Sequence, residues 1–539
     1  MPNLTMARQI VSTRRVAGGA RSLGRSADAS ADSTSMSPTD GVEASIRFRP
    51  SDATKLYRID AFAAARPDLY RQSVILAGLL GYLFVCVIFI LLLGSIILLI
   101  ARPRIGTLFV GGFMLYSAVG TFRLLRAASP NAPGGGIEVT PDSAPMLLSH
   151  VARIGDACGI RIHSVRLTGQ MNASIRRYRP RFGWKRRYAL RIGLPFMFAL
   201  GTDEIEAVTA HEVGHYVGRH SNSTELVQRL CYCWAALASH RPGILRIWPV
   251  STLFAAYARW FGLYSLALLR NHEFEADRIS VNIVGAEVAG NSLKRASIQY
   301  SRFEDAWETI WDEAGAGATP PPSPYRRLAS AFPGENARDR SVLDRELGRS
   351  EDVTEFHPSL ARRLAALGGS RDLPPPPERT AASDLLGEAL ETCIDRLDED
   401  WHVTFETQWW EQAAHYREAG ARLAVLNEQI DAGTASPQDL LERASLIEVI
   451  EGPEAGANTY SDLLERYPDT HGAAFGIGAL LLEQKDDAGI NVLLDVSDKA
   501  PEARASALRH IIDYLVAEGR WKEADRYDRL LRGKQIKRD

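Results

Sequence analysis

Residues 73–101, SVILAGLLGYLFVCVIFILLLGSIILLIA, run for 29 positions without a charged side chain. As a helix the run measures about 44 Å at about 1.5 Å per residue, against a bilayer hydrocarbon core of about 30 Å. After Arg102 and Arg104, residues 105–122 supply another 18 uncharged positions, about the minimum for a second crossing. A helix in the core of a water-soluble protein keeps a polar face, and neither run has one. The pair reads as a transmembrane hairpin (73–101 and 105–122) within a segment 51–126. Lys55, Arg58, Arg66 and Arg71 before it, with Arg123 and Arg126 after it, outnumber Arg102 and Arg104 in the loop. That bias favours both ends in the cytoplasm. The chain is expected to be an integral membrane protein with the lipid bilayer as a partner and its following domain on the cytoplasmic side.

Residues 1–50 are rich in Ser, Thr, Ala and Arg, and no acid precedes Asp28. They read as a disordered tail, a composition that a transit peptide shares. Over the whole chain 63 Lys and Arg offset 65 Asp and Glu, which removes the basic field of a nucleic-acid binder, so no nucleic acid is expected as partner. Five cysteines without zinc-knuckle spacing suggest reduced thiols. A third apolar stretch, residues 248–269, contains one charge, Arg259. It is expected to lie along the membrane interface or to pack on the catalytic domain, with a second hairpin together with residues 226–239 as the alternative.

The chemistry begins at residues 202–217, TDEIEAVTAHEVGHYV. Thr202 fits an N-cap, and Asp203 and Glu204 suit the first turn of a helix. On that helix His211 and His215 share a face and can aim at one metal, while Glu212 reaches the water that such a metal would activate. A third ligand is then needed. The metzincin pattern requires a histidine at position 221, which is Ser; His220 comes one residue early and reads as a surface or substrate-side residue. Between His215 and Glu273 the only acid is the isolated Glu225, whereas NHEFEADR, residues 271–278, carries Glu273, Glu275 and Asp277. Glu273 and Asp277 share a helical face and Glu275 is turned away by about 200°. Glu273 is therefore expected as the third zinc ligand, with Asp277 accepting the outer N–H of a ligand histidine.

These two segments together resemble the membrane-associated zinc endopeptidases that include the CaaX prenyl endopeptidase and the HtpX heat-shock protease, in which HExxH is followed far downstream by ExxxD. The resemblance spans about 137–368. It implies a mainly α, α+β fold: a gluzincin-type metalloprotease domain (137–370) with a small sheet, preceded by the hairpin and followed by helices. It also implies one zinc per chain, polypeptide substrates, and a role in membrane-protein quality control or processing. In that family a strand before the active-site helix pairs with substrate backbone, which points here to Asn172 and Ala173, with Ser174 where an aromatic is usual. FHPSLARRLAAL, residues 356–367, resembles the family's His-Pro and Arg element and marks His357 and Arg363 as accessory residues. A polar, Pro-rich insertion at 315–341 reads as a loop or lid. His220, His357 and Arg278 are candidates for stabilising an oxyanion.

LPPPPER, residues 373–379, reads as a linker. The helical region 380–539 carries Pro437, Pro468 and Pro501 at spacings of 31 and 33, compatible with tetratricopeptide-like repeats or a plain bundle. Either form suits a separable module that recruits protein partners. The functional expectation is a membrane-anchored zinc metalloendopeptidase with Glu212 as general base. The rival is a catalytically silent, protease-like scaffold that presents the repeats to partners.

Overall fold

The computed structural model describes residues 52–533 except 102–104, 128–131, 181–184, 218–220, 241–245, 248–249, 318, 333, 335 and 350–356. The expected tail 1–50 lies outside the described residues. The chain is mainly helical with one small sheet, and it divides into two compact units: 31–303 with 329–397, and 304–328 with 398–539.

In the first unit the amphipathic helix α1 (Ala53–Ala65) leads into α2 (Pro67–Ala101), which pairs with α3 (Ile105–Ala127) as a helical hairpin. Large apolar side chains stand exposed on many sides of both, among them Leu83, Ile90, Ile97, Phe109 and Tyr116. Four strands follow: β1 (Ile137–Val139), β2 (Ile162–Thr168), β3 (Ala173–Tyr178) and β4 (Arg187–Gly193). Their order is β1-β2-β4-β3, with β2 parallel to β4 and both edge strands antiparallel. Helix α4 (Pro145–Ala157) covers the sheet through Ile154, which shares a cluster with Ile175, Ala210 and Val213.

After a short helix α5 (Leu194–Ala199) comes α6 (Thr202–Gly214), the HExxH helix. Its N-cap is Gly201, not Thr202: the Gly201 N–H donates to Glu204 Oε2 at 3.0 Å, and Glu204 also accepts from Arg295 Nε at 2.8 Å. A carboxylate already held by a buried arginine is well placed for the first-turn backbone, and it takes the capping role ahead of the threonine. Helices α7 (Ser221–His240) and α8 (Val250–Val284) come next, and α8 is one continuous helix carrying both the apolar stretch and the NHEFEADR segment.

The apolar half of α8 packs on α7, α1 and α2 instead of on the sheet domain. Tyr264 meets Tyr70 edge-on at 5.4 Å between ring centroids, and seven residues along each helix the Tyr257 hydroxyl donates to the Ala77 carbonyl at 2.9 Å. Gly78 and Gly81 open α2 for Leu230, Phe261 and Trp234. Arg259 pairs with buried Asp52, the N-cap of α1, and Arg270 with Asp60. The antiparallel register therefore sets α8 beside the N-terminal half of α2 only.

Helix α9 (Ala286–Gly315) is followed by the Pro-rich insertion, which is not a free loop or lid. It folds as α10 (Pro324–Ala331), with Tyr325 and Leu328 buried. Farther on, Asp339 at the start of α11 (Asp339–Gly348) forms an ion pair with Arg302. Next come α12 (Leu360–Leu367) and α13 (Ala381–Leu386). The segment 373–379 is no spacer: Arg295 donates to the Pro375 carbonyl, Lys294 to that of Asp372 at 2.7 Å, and the Ala381 N–H to the Leu200 carbonyl at 2.8 Å. Ala381, Ala382, Leu385 and Leu386 are buried. An extended polyproline strand exposes its carbonyls, and here they satisfy buried cations of α9.

The second unit is helical. Trp307 and Trp311 of α9 meet Trp401 and Trp409 of α14 (Ala389–Asp431), and the Tyr325 N–H donates to Asp398 Oδ1 at 2.8 Å. Three helix pairs follow: α15 (Pro437–Glu451) with α16 (Pro453–Arg466), α17 (His471–Glu483) with α18 (Ala488–Lys499), and α19 (Arg504–Ala517) with α20 (Trp521–Leu531). The first helices start at 437, 471 and 504, intervals of 34 and 33 residues.

Candidate metal centre

Two helices build the site, and a glycine sets their separation. Gly214 lies against α8, where an added Cβ would come within 3.1 Å of Ala276 Cα and 3.3 Å of Ile279 Cβ. This close approach lets side chains one turn back on α6 meet those of α8. Gly214→Ala is expected to push the helices apart and to cost about 1–3 kcal/mol, read as a lowered unfolding midpoint; an unchanged midpoint would show that the contact is slack.

His215 occupies the C-cap of α6, still in right-handed helical geometry with its N–H on the His211 carbonyl at 3.3 Å, so the i, i+4 relation holds. His211 Nε2 lies 3.6 Å from Glu273 Oε2, and His215 Nε2 lies 3.5 Å from Glu273 Oε1. One donor atom from each of the three residues lies within 4.8 Å of the other two. Ligands at about 2.0–2.1 Å from a tetrahedral zinc stand about 3.3 Å apart, so the donor set and its spacing fit that ion. Among the described residues this is the one such His, Cys, Asp or Glu group.

Behind the cluster, Asp277 is 3% exposed, with Oδ1 2.9 Å from His211 Nδ1. The same carboxylate takes two hydrogen bonds from Arg363 of α12, Nε at 2.9 Å and a terminal nitrogen at 2.6 Å. On the far side His357, half-exposed, has Nδ1 2.7 Å from Glu273 Oε2. His272, which the sequence reading passed over, puts Nδ1 3.4 Å from His215 Nδ1. Their rings are tilted by only 24° at a centroid separation of 5.4 Å. So wide a separation at so small a tilt fits imidazoles meeting edge to edge. The histidine was visible beside Glu273, but its contact depends on where α8 crosses α6, which no local pattern encodes.

Burial and mutual charge shape the protonation of the metal-free site. Burial raises the Glu212 carboxyl, with Glu273 adding to it against His211, to about 7. Burial works against the charged form of His211, but hydrogen bonds to Asp277 and Glu273 outweigh it and raise the ring to about 9. His215 is lowered by burial to about 3 and so stays neutral. Burial opposes the charge on Asp277, yet Arg363 and His211 hold its carboxyl well below the usual range. Glu212 makes no hydrogen bond among the described residues, yet its charge is coupled to His211, Glu273 and His357.

The other expected residues are placed less centrally. Ala173 begins the edge strand β3 and Asn172 directly precedes it; the Gly193 N–H donates to the Asn172 carbonyl at 2.7 Å and Ala173 pairs with Ile192. That strand packs on α6. Glu275 is exposed, as its helical phase requires. Arg278 is likewise exposed, on the face of α8 away from buried Glu273 and Asp277, which removes it from the oxyanion candidates. His220 lies outside the described residues.

No curated protein and no solved structure matches the chain. Residues 193–371, which hold the three donors, Glu212, Asp277 and Arg363, match the model of Peptidase family M48. With that match over the His-His-Glu cluster, residues 193–371 are a domain of peptidase family M48, and the chain carries a metallopeptidase, a hydrolase of peptide bonds.

Proposed function

We propose that the chain is a membrane-anchored zinc endopeptidase with His211, His215 and Glu273 as ligands and Glu212 as general base. The observation that carries this reading is the convergence of the three donors within 4.8 Å of one another, with buried Asp277 behind His211. Bound zinc would supply a Lewis acid that acidifies water and polarises the scissile carbonyl. Glu212 takes the proton of the attacking water and passes it to the leaving amine, work that suits a carboxyl poised near neutrality. Asp277, clamped by Arg363, keeps the proton of His211 on Nδ1 and its Nε2 free to ligate. His357, beside Glu273 and open to solvent, is the accessory group best placed near a reacting carbonyl. A silent scaffold has no use for a half-buried carboxyl raised toward neutrality beside such a donor set. Purified chain should cleave an unstructured protein such as casein, lose that activity on chelation and regain it with one equivalent of zinc; cleavage indifferent to chelator would end this reading.

His272 is assigned to position His215. With Nε2 of His215 turned to the cluster, its Nδ1 carries the proton, and His272 Nδ1 accepts it. His272→Leu should weaken zinc about 10- to 100-fold, while His272→Gln, which keeps an acceptor, should recover most of the loss. Competition with a chromogenic chelator measures both; equal loss in the two variants would reduce His272 to packing.

Anchoring is supported by the exposed apolar surface around α2 and α3, which water would not tolerate. The ion pairs of Arg259 and Arg270 with α1, and the register of α8 on α2, favour an apolar half of α8 that does not cross. Charge bias favours a cytoplasmic catalytic domain. The 34- and 33-residue intervals in the second unit support tetratricopeptide-like pairs that receive protein partners. Processing or quality control of membrane proteins is the role this combination suits.

A further inference from the structure

The sheet ends in a cluster of cations with no acid to answer them. From 157 to 202 the sequence has ten Lys and Arg and no Asp or Glu, in a chain whose 63 Lys and Arg and 65 Asp and Glu nearly balance overall. The registers Ile162 with Tyr188 and Tyr178 with Arg187 bring the starts of β2 and β4 and the finish of β3 to one end of the sheet. Arg161, Arg179, Lys185, Arg186 and Arg187 are exposed there, beside exposed His163. None of the five pairs with an acid among the described residues. Their repulsion is felt locally: after burial, Arg187 and Arg161 lower His163, and Arg186 lowers Arg177. A concentration of like charge without internal compensation is satisfied from outside.

Its position says by what. Tyr188 at this end meets Tyr216 edge-on at 5.4 Å, and the Tyr216 hydroxyl donates to the Ile175 carbonyl at 3.3 Å. Tyr216 closes the catalytic helix, and from there the chain enters α7, which packs on both α2 and α3. The chain thus runs from this end of the sheet into the helix that packs on the apolar hairpin. The cations are spread over the ends of three strands, an array that matches a surface; a single bound acidic strand would call for a line along the free edge of β3. We propose that this sheet end rests on anionic lipid headgroups, seating the β3 edge at the bilayer surface, where membrane-proximal segments of other proteins would meet it. The proposal rests on the membrane-anchored reading.

The test is hydrogen exchange of residues 173–188 in the full chain, reconstituted in nanodiscs of phosphatidylcholine alone or with about one third phosphatidylglycerol. The comparison variant combines Arg179→Gln, Lys185→Gln, Arg186→Gln and Arg187→Gln, with its unfolding midpoint checked against wild type. Wild-type amides of this hairpin should exchange about tenfold more slowly in the anionic discs. About 0.5 M salt should abolish the difference, and the variant should lack it. Equal exchange in both lipids, or slowing retained in the variant, overturns the proposal. Protection produced by polyglutamate in neutral discs, with none from anionic lipid, would assign the surface to acidic polypeptides and overturn it too. A chain recovered free of discs fails on the anchoring itself, which is seen before any exchange is measured.

Discussion

Glu212→Gln should lower peptide cleavage by on the order of 10³-fold, a base's usual contribution, while zinc stays bound at one per chain. Glu273→Ala should lose zinc and cleavage together, because two histidines alone do not make a hydrolytic zinc site. Asp277→Asn belongs between them. It weakens zinc about 10- to 100-fold by loosening His211, and it also breaks a buried pair with Arg363, which costs roughly 3–5 kcal/mol of stability. Metal analysis beside single-turnover cleavage separates the three; zinc retained in Glu273→Ala would remove it as a ligand. The metal-free site adds a sign. With His211 raised to about 9, zinc must displace a proton at neutral pH, so affinity should climb as pH rises toward about 9. The Asp277 contribution runs the other way on acidification: its carboxyl is held low, so that stability is complete above the ordinary aspartate range and is lost as pH falls toward the folded value.

What sequence disclosed about this centre follows from helical periodicity. Two histidines four apart and two acids four apart need only an α-helix to share a face, and α6 and α8 are both regular there. The carboxylate-free stretch before residue 273 did the rest. His272, by contrast, acts across two helices, and its partner is fixed by the crossing that Gly214 permits. The same limit explains the apolar stretch of α8. Hydropathy reports length and lack of charge, while the pairs Arg259–Asp52 and Arg270–Asp60 depend on α1 folding back alongside it. Prolines misled twice. In 373–379 and 320–324 they suggest a linker and a loop, yet the carbonyls at 372 and 375 bond Lys294 and Arg295, and Pro324 starts a helix.

The first of these, the apparent linker, changes what a truncation should do. A cut after residue 379 would look like clean removal of a partner-binding module, leaving a zinc protease able to cleave casein. It should instead yield a protein that is insoluble or holds no zinc. The cut deletes α13, whose four buried side chains and Ala381 N–H complete the unit that contains α6. It also strips Trp401 and Trp409 from Trp307 and Trp311, and Asp398 from the Tyr325 N–H. Removing large aromatic side chains from a packed cluster costs about 3–5 kcal/mol apiece, so losing several of them exceeds the usual total stability of a domain. A cut after residue 435 spares α13 and α14 while removing the three helix pairs. That shorter deletion should retain zinc and casein cleavage and lose only selectivity among native substrates. Metal content and far-ultraviolet circular dichroism of the two truncations decide between the alternatives: a folded, zinc-loaded chain ending at 379 would show that the interleaved boundary carries no stability.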